Sequence, residues 1–116
     1  LVLLSPEWDF RGLPLLKPLR QPGVQRQVSF LIVYGAQMSK AKKDATNIHK
    51  NLAKYHPEPP RDKIKELKDL FLVDLPTKMQ GTALLTSGEY KLLSDIDAFM
   101  DARITDKHFP WVARNK

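Results

Sequence analysis

VSFLIVYGAQMSKAKKDATNIHKNLAKYH, residues 28–56, reads as one strand leading through a short link into one helix. Val28, Phe30, Leu31, Ile32, Val33 and Tyr34 form a near-continuous apolar run of mostly β-branched and aromatic side chains. Such a run belongs to a central strand covered on at least one face. Gly35 ends it. From Ser39 the period changes. At 3.6 residues per turn, Ala41, Ala45, Ile48, Leu52 and Tyr55 fall on one narrow side, and Lys40, Lys43, Asn47, Lys50 and Lys54 fall on nearly the opposite one. Ser39 is the expected N-cap, its hydroxyl accepting a free N–H of the first turn. Pro57 closes the helix, since the residue before a proline is driven from the helical region.

The lysine stripe has two readings. A solvated helix face accounts for it by itself. Charge distribution argues for more. Residues 39–56 hold Lys40, Lys42, Lys43, Lys50 and Lys54 against Asp44 alone, in a chain of net charge +6. A later helical stretch, residues 88–104, carries Glu89, Asp95, Asp97 and Asp101 against Lys91 and Arg103. Positive charge gathered on one element suits a phosphate-bearing partner. Asn47 lies in mid-stripe, and asparagine can pair with an adenine edge while lysines hold the backbone.

Outward from this unit, residues 1–23 read as irregular. Pro6, Pro14, Pro18 and Pro22 interrupt helix and ladder alike, yet Leu3, Leu4, Trp8, Phe10, Leu13, Leu15, Leu16 and Leu19 are too apolar for a free tail. The expectation is a proline-rich arm, residues 1–24, on a single domain, residues 25–116. The arm packs on the domain, on a second copy or on another subunit. Arg11, Lys17, Arg20 and Arg26 make it basic. Residues 61–71 read as a short helix running into a strand near residues 70–75. After Pro76, residues 82–86 read as a strand forming an antiparallel hairpin with it. Residues 90–104 read as a second helix, capped by Ser87, with Leu92, Leu93, Ile96, Phe99, Met100 and Ile104 buried. Residues 109–113 read as an edge strand. The order predicts an α+β domain: a split β-α-β-β-α-β, ferredoxin-like antiparallel sheet with two helices on one face, behind an irregular arm. Moving residues 61–71 wholly into helix gives the alternative, a thioredoxin-like α/β sandwich.

Composition narrows the chemistry. At 116 residues the chain can enclose one real core. It has no cysteine, which excludes disulfides, thiol catalysis and cysteine-held zinc. His49 and His56 stand two helical turns apart, too far to share a metal, and no H-E-x-x-H or phosphate-loop pattern occurs. Asp97 and Asp101 read as a solvated helix face. The expectation is therefore no enzyme, no cofactor and no metal site. No apolar run approaches bilayer length. The chain does not begin with Met and reads as an excised domain or processed form.

The strand VSFLIVYG ending in glycine, the lysine-bearing helix after it and the basic proline-containing arm before it resemble the DNA-binding domain of the gammaherpesvirus latency-associated nuclear antigen (LANA) family. The resemblance implies a homodimer on viral episome repeats, held by Lys40, Lys43, Asn47, Lys50 and Lys54, with Arg11, Lys17 and Arg20 as a backbone or minor-groove arm. It also implies an intracellular, nuclear location. Taken together, the sequence reads as a nucleic-acid-binding domain, double-stranded DNA before RNA. The rival is a small α/β subunit of a larger assembly, a ribosomal or organellar one included, docking by residues 1–19.

Overall fold

The computed structural model describes residues 1–86 and 91–103. Its centre is a three-stranded sheet in the order β1 (Val2–Leu4), β4 (Phe30–Gly35), β5 (Leu70–Leu75). A small hairpin, β2 (Asp9–Phe10) with β3 (Leu13–Pro14), stands apart from it. Between them and around them lie α1 (Leu16–Leu19), α2 (Pro22–Gln27), α3 (Ser39–Ala53), a 3-10 turn at Arg61–Lys63, α4 (Ile64–Leu67), α5 (Ala83–Thr86) and α6 (Leu92–Arg103).

The sheet corrects the expected architecture. Both neighbours of β4 run parallel to it, with Val2–Leu4 opposite Leu31–Val33 and Phe30–Gly35 opposite Leu70–Leu75. No antiparallel split βαβ sheet exists among the described residues. Parallel neighbours need a crossover connection, and α1, α2 and α3 supply both. The expected strand at residues 82–86 is the helical turn α5, with Leu84 N–H bonded to Gly81 O and Leu85 N–H to Thr82 O. The expected hairpin is absent because the chain leaving β5 turns across the end of β4. There Ala36 N–H donates to Leu75 O at 2.7 Å and Gln37 N–H donates to Thr77 O at 3.1 Å.

The helices are likewise not on one face. Alternation along β4 sends Phe30, Ile32 and Tyr34 towards Ala45, Ile48 and Leu52 of α3, joined by Leu19, Leu70 and the half-buried Trp8. Leu31 and Val33 point the other way, against Leu84 of α5 and Leu92 and Phe99 of α6. All six residues of β4 are buried, as its apolar run requires of a strand covered on both faces. Residues 1–23 are not irregular either, since Val2–Leu4 is an edge strand of the sheet. On α6 the buried stripe is narrower than its periodicity suggests: Leu92 and Phe99 are buried, whereas Leu93 and Met100 are exposed. Ser87, Tyr90, Ile104 and the expected strand at residues 109–113 lie outside the described residues.

The ends of β1 and β4 and the loop after β5 are tied together at one end of the sheet by Gln80. Its amide takes the place of a peptide unit beside Gly35: Gly35 N–H donates to Oε1 at 3.0 Å, and Nε2 donates to Gly35 O at 2.9 Å. Ser5, just past β1, donates through Oγ to the same Oε1 at 2.6 Å and accepts from Gly81 N–H at 2.8 Å. Thr77 is buried here, and its Oγ1 accepts from Met79 N–H at 3.1 Å.

Candidate nucleic-acid interface

The buried side of α3 is the side the 3.6 period marked, with Ala45, Ile48 and Leu52 in the core and Ala41 and Tyr55 half-buried. That orientation turns Lys43, Lys50 and Lys54 outward, and all three are exposed. Asn47 sits between them, half-buried, its carbonyl accepting from Asn51 Nδ2 at 2.9 Å. The helix begins one residue differently from expectation. Met38 precedes Ser39 as the capping residue, its carbonyl accepting from Lys42 N–H, with no side-chain cap.

Lys40 departs from the stripe. Its Nζ donates to Asp44 Oδ2 at 3.1 Å and lies 3.9 Å from Glu7 Oε2. The hydrogen bond with Asp44, then the charges of Asp44 and Glu7, raise the ammonium pKa above its ordinary value. Its charge is offset within the molecule, leaving Lys43, Lys50 and Lys54 as the part of the stripe that faces outward.

The basic residues of the N-terminal segment divide. Arg20, at the end of α1, lines a cleft of about 100 Å³ together with Lys54, Asn51 and Tyr55, so one of the three is brought to the helix. Arg26 approaches from α2, its guanidinium 5.4 Å from the centre of the Tyr55 ring, a cation–π distance. Lys17 lines a different feature, an apolar groove of about 570 Å³ walled by Leu3, Pro6, Leu13, Leu15 and Pro18. Arg11 is exposed at the tip of the β2–β3 hairpin with φ of +52°. Tyr55 and Asn51 carry no sequence signal for this role. They join Arg20 and Arg26 only because α1 and α2 pack across the C-terminal half of α3.

His49 adds no charge to the surface at neutral pH. Burial, then the Lys68 charge, lower its pKa from 6.5. Folding thus favours the neutral imidazole. Its contribution is fully present above pH 6.5 and declines as pH falls through the lower folded value. Urea midpoints measured across that range should fall more steeply with acid for the wild type than for His49→Gln, and parallel curves would show that His49 is not the titrating group.

Charge is separated across the sheet. On one face α3 carries Lys40, Lys42, Lys43 and Lys50 against Asp44; on the other, α6 carries Asp95, Asp97 and Asp101 against Arg103. Among the described residues no group of three or more histidine, aspartate or glutamate side chains could hold a metal ion, and no helix is long and apolar enough to cross a membrane. Comparison with family models, curated proteins and solved structures returns no match to this chain.

Proposed function

We propose that this domain binds nucleic acid, double-stranded DNA before RNA, through the outward face of α3 and the arginines packed at its C-terminal end. The observation that carries the reading is the separation of charge across the sheet. Among the described residues, a basic helix on one face of the sheet and an acidic one on the other give a side that attracts a polyanion and a side that does not. α3 has 15 residues, about 22 Å at 1.5 Å per residue, and its inner face is fixed by Ile48 and Leu52 in the core. A rigid basic rod on the surface is the element that enters a major groove. Lys43, Lys50, Lys54 and Arg20 are the phosphate contacts, and Asn47 is the residue placed to read a base edge.

Four neutralised phosphates release their counterions with a log–log salt slope near −3.6, so affinity should fall about a hundredfold between about 50 and about 200 mM salt. Fluorescence anisotropy with duplex DNA and with structured RNA measures this directly. Lys43→Glu with Lys50→Glu should abolish binding at the lower salt. Retention of wild-type affinity by that double variant, or absence of binding by the wild type at low salt, overturns the proposal. Asn47→Ala should alter preference among sequences without changing the salt slope.

A further inference from the structure

The cleft at the junction of α1, α2 and α3 has features that an ordinary solvated surface does not share. Arg20 and Lys54 line it, Arg26 lies against the Tyr55 ring that forms one wall, and no carboxylate contributes to its lining. Its polar wall is completed by Asn51 and Gln25, with Leu52 at the base. Its volume, about 100 Å³, is well below the roughly 300 Å³ at which drug-sized ligands begin to fit. A single tetrahedral oxyanion is the right size for it, with any attached nucleoside left outside.

One feature opposes an anion here. The C-terminal end of α3 contributes about half a negative charge. Part of that is already spent within the chain: Tyr55 N–H donates to Leu52 O at 2.9 Å and His56 N–H to Ala53 O at 3.3 Å. Against the remainder stand the two full positive charges that line the cleft, Arg20 and Lys54. A phosphate within a nucleic-acid strand carries one negative charge. A terminal phosphomonoester carries between about 1.5 and 2 at neutral pH and exposes three oxygens, and guanidinium groups pair such oxygens two at a time.

We propose that the cleft bounded by Arg20, Lys54, Asn51 and Tyr55 seats a terminal phosphate, so that the domain distinguishes a phosphorylated strand end from an interior one. The inference rests on the nucleic-acid reading of α3 and adds a ligand class to it. Arg20 and Lys54 pair with the phosphate oxygens. Arg26 is outside the lining, its guanidinium 5.4 Å from the centre of the Tyr55 ring, and steadies that wall of the cleft. Asn51 is within the lining as a further amide donor.

The test is anisotropy of the whole chain with a short duplex bearing either terminal phosphates or terminal hydroxyls, at one salt concentration. The wild type should bind the phosphorylated duplex about tenfold more tightly, the worth of a charge-assisted hydrogen bond at a partly exposed site. Arg20→Gln with Lys54→Gln should bring the ratio of the two affinities to one. Equal affinities in the wild type overturn the inference and leave the role of α3 intact. If neither duplex binds, inorganic phosphate against chloride at equal ionic strength decides. Saturable amide NMR shifts at Asn51 and Tyr55 sustain the seat without the nucleic acid, and their absence overturns the seat as well.

Discussion

His56→Ala is expected to cost about 3–5 kcal/mol of folding free energy, the range for removing one partner of a buried ion pair. The ring is fully enclosed and Asp69 nearly so, with side-chain exposures of 0% and 4%. Nδ1 lies 3.1 Å from Asp69 Oδ1, and Nε2 lies 2.8 Å from Gln25 O. A backbone carbonyl can only accept, so Nε2 carries a proton. Nδ1 then faces a carboxylate. Either the ring is doubly protonated beside an ionised Asp69, or Asp69 holds the proton and donates it to Nδ1. Both arrangements leave the pair neutral overall and both ring nitrogens satisfied. The Phe30 edge meets the ring at 5.6 Å between centroids and 88° between planes. The Asp69 backbone is engaged as well, its carbonyl accepting from Phe30 N–H at 2.7 Å.

Alanine at 56 therefore leaves an apolar void, a buried carboxylate and an unpaired Gln25 carbonyl at once. Asp69→Ala should cost a similar amount, because it strands the ring. Asp69→Asn should cost less than half as much, since an amide N–H can still donate to Nδ1 of a neutral imidazole. Urea unfolding of the three variants ranks them. A His56→Ala loss below about 1 kcal/mol, or an Asp69→Asn loss equal to that of Asp69→Ala, would show that the pair does not hold this junction. The junction matters beyond stability. His56 joins the chain after α3 to α2 through Gln25, and Gln25 lines the cleft beside Arg20.

The helix and its orientation were legible because a 3.6 period is a local property of the chain. Ala45, Ile48 and Leu52 are buried, and Lys43, Lys50 and Lys54 are exposed, as that period alone requires. Residues 70–75 were legible for the same reason, and the strand there runs Leu70–Leu75. Sheet direction was not legible. Alternation along a strand is the same whether its neighbour is parallel or antiparallel, and only the connection distinguishes them. Reading residues 82–86 as a strand forced a hairpin and so an antiparallel sheet. Val2–Leu4 was hidden for a related reason: three residues before a proline gain strand structure only by pairing with Leu31–Val33, far along the chain. The candidate site divides the same way. Lysines on one helix can be found by counting, but the approach of Arg20 and Arg26 to Lys54 and Tyr55 depends on how α1 and α2 pack.

The same long-range dependence makes Gly35 the position least able to accept a side chain. A Cβ built there meets the Met79 carbonyl oxygen in a hard clash, with Gln80 Nε2 at 2.6 Å and Thr77 O at 2.7 Å. The Gln80 amide ends a flexible side chain and can withdraw. The two oxygens belong to backbone, and Thr77 O is fixed by the bond from Gln37 N–H. Gly35→Ala must push the whole loop after β5 away from the end of β4, breaking both Gln80 bonds to Gly35. Overpacking costs about 1–3 kcal/mol and each lost bond about 1, so a loss of about 3–5 kcal/mol is expected. For a domain of this size that corresponds to a fall of roughly 10–20 °C in Tm. Adding Gln80→Ala to Gly35→Ala should give no recovery, because it removes the one contact that could already move. Recovery in the double variant would mean that the Gln80 amide, not the backbone of residues 77–79, limits the space at Gly35. Tm of the single and double variants by circular dichroism decides between these, and a single variant within about 1 kcal/mol of wild type would show that the loop yields at little cost. The consequence for function is positional. Gly35 ends β4 and α3 starts four residues later, and Gln37 in the link donates to Thr77 O of the displaced loop, so on the proposed nucleic-acid reading Gly35→Ala should disturb the entry to the basic helix and weaken binding without removing a single charge.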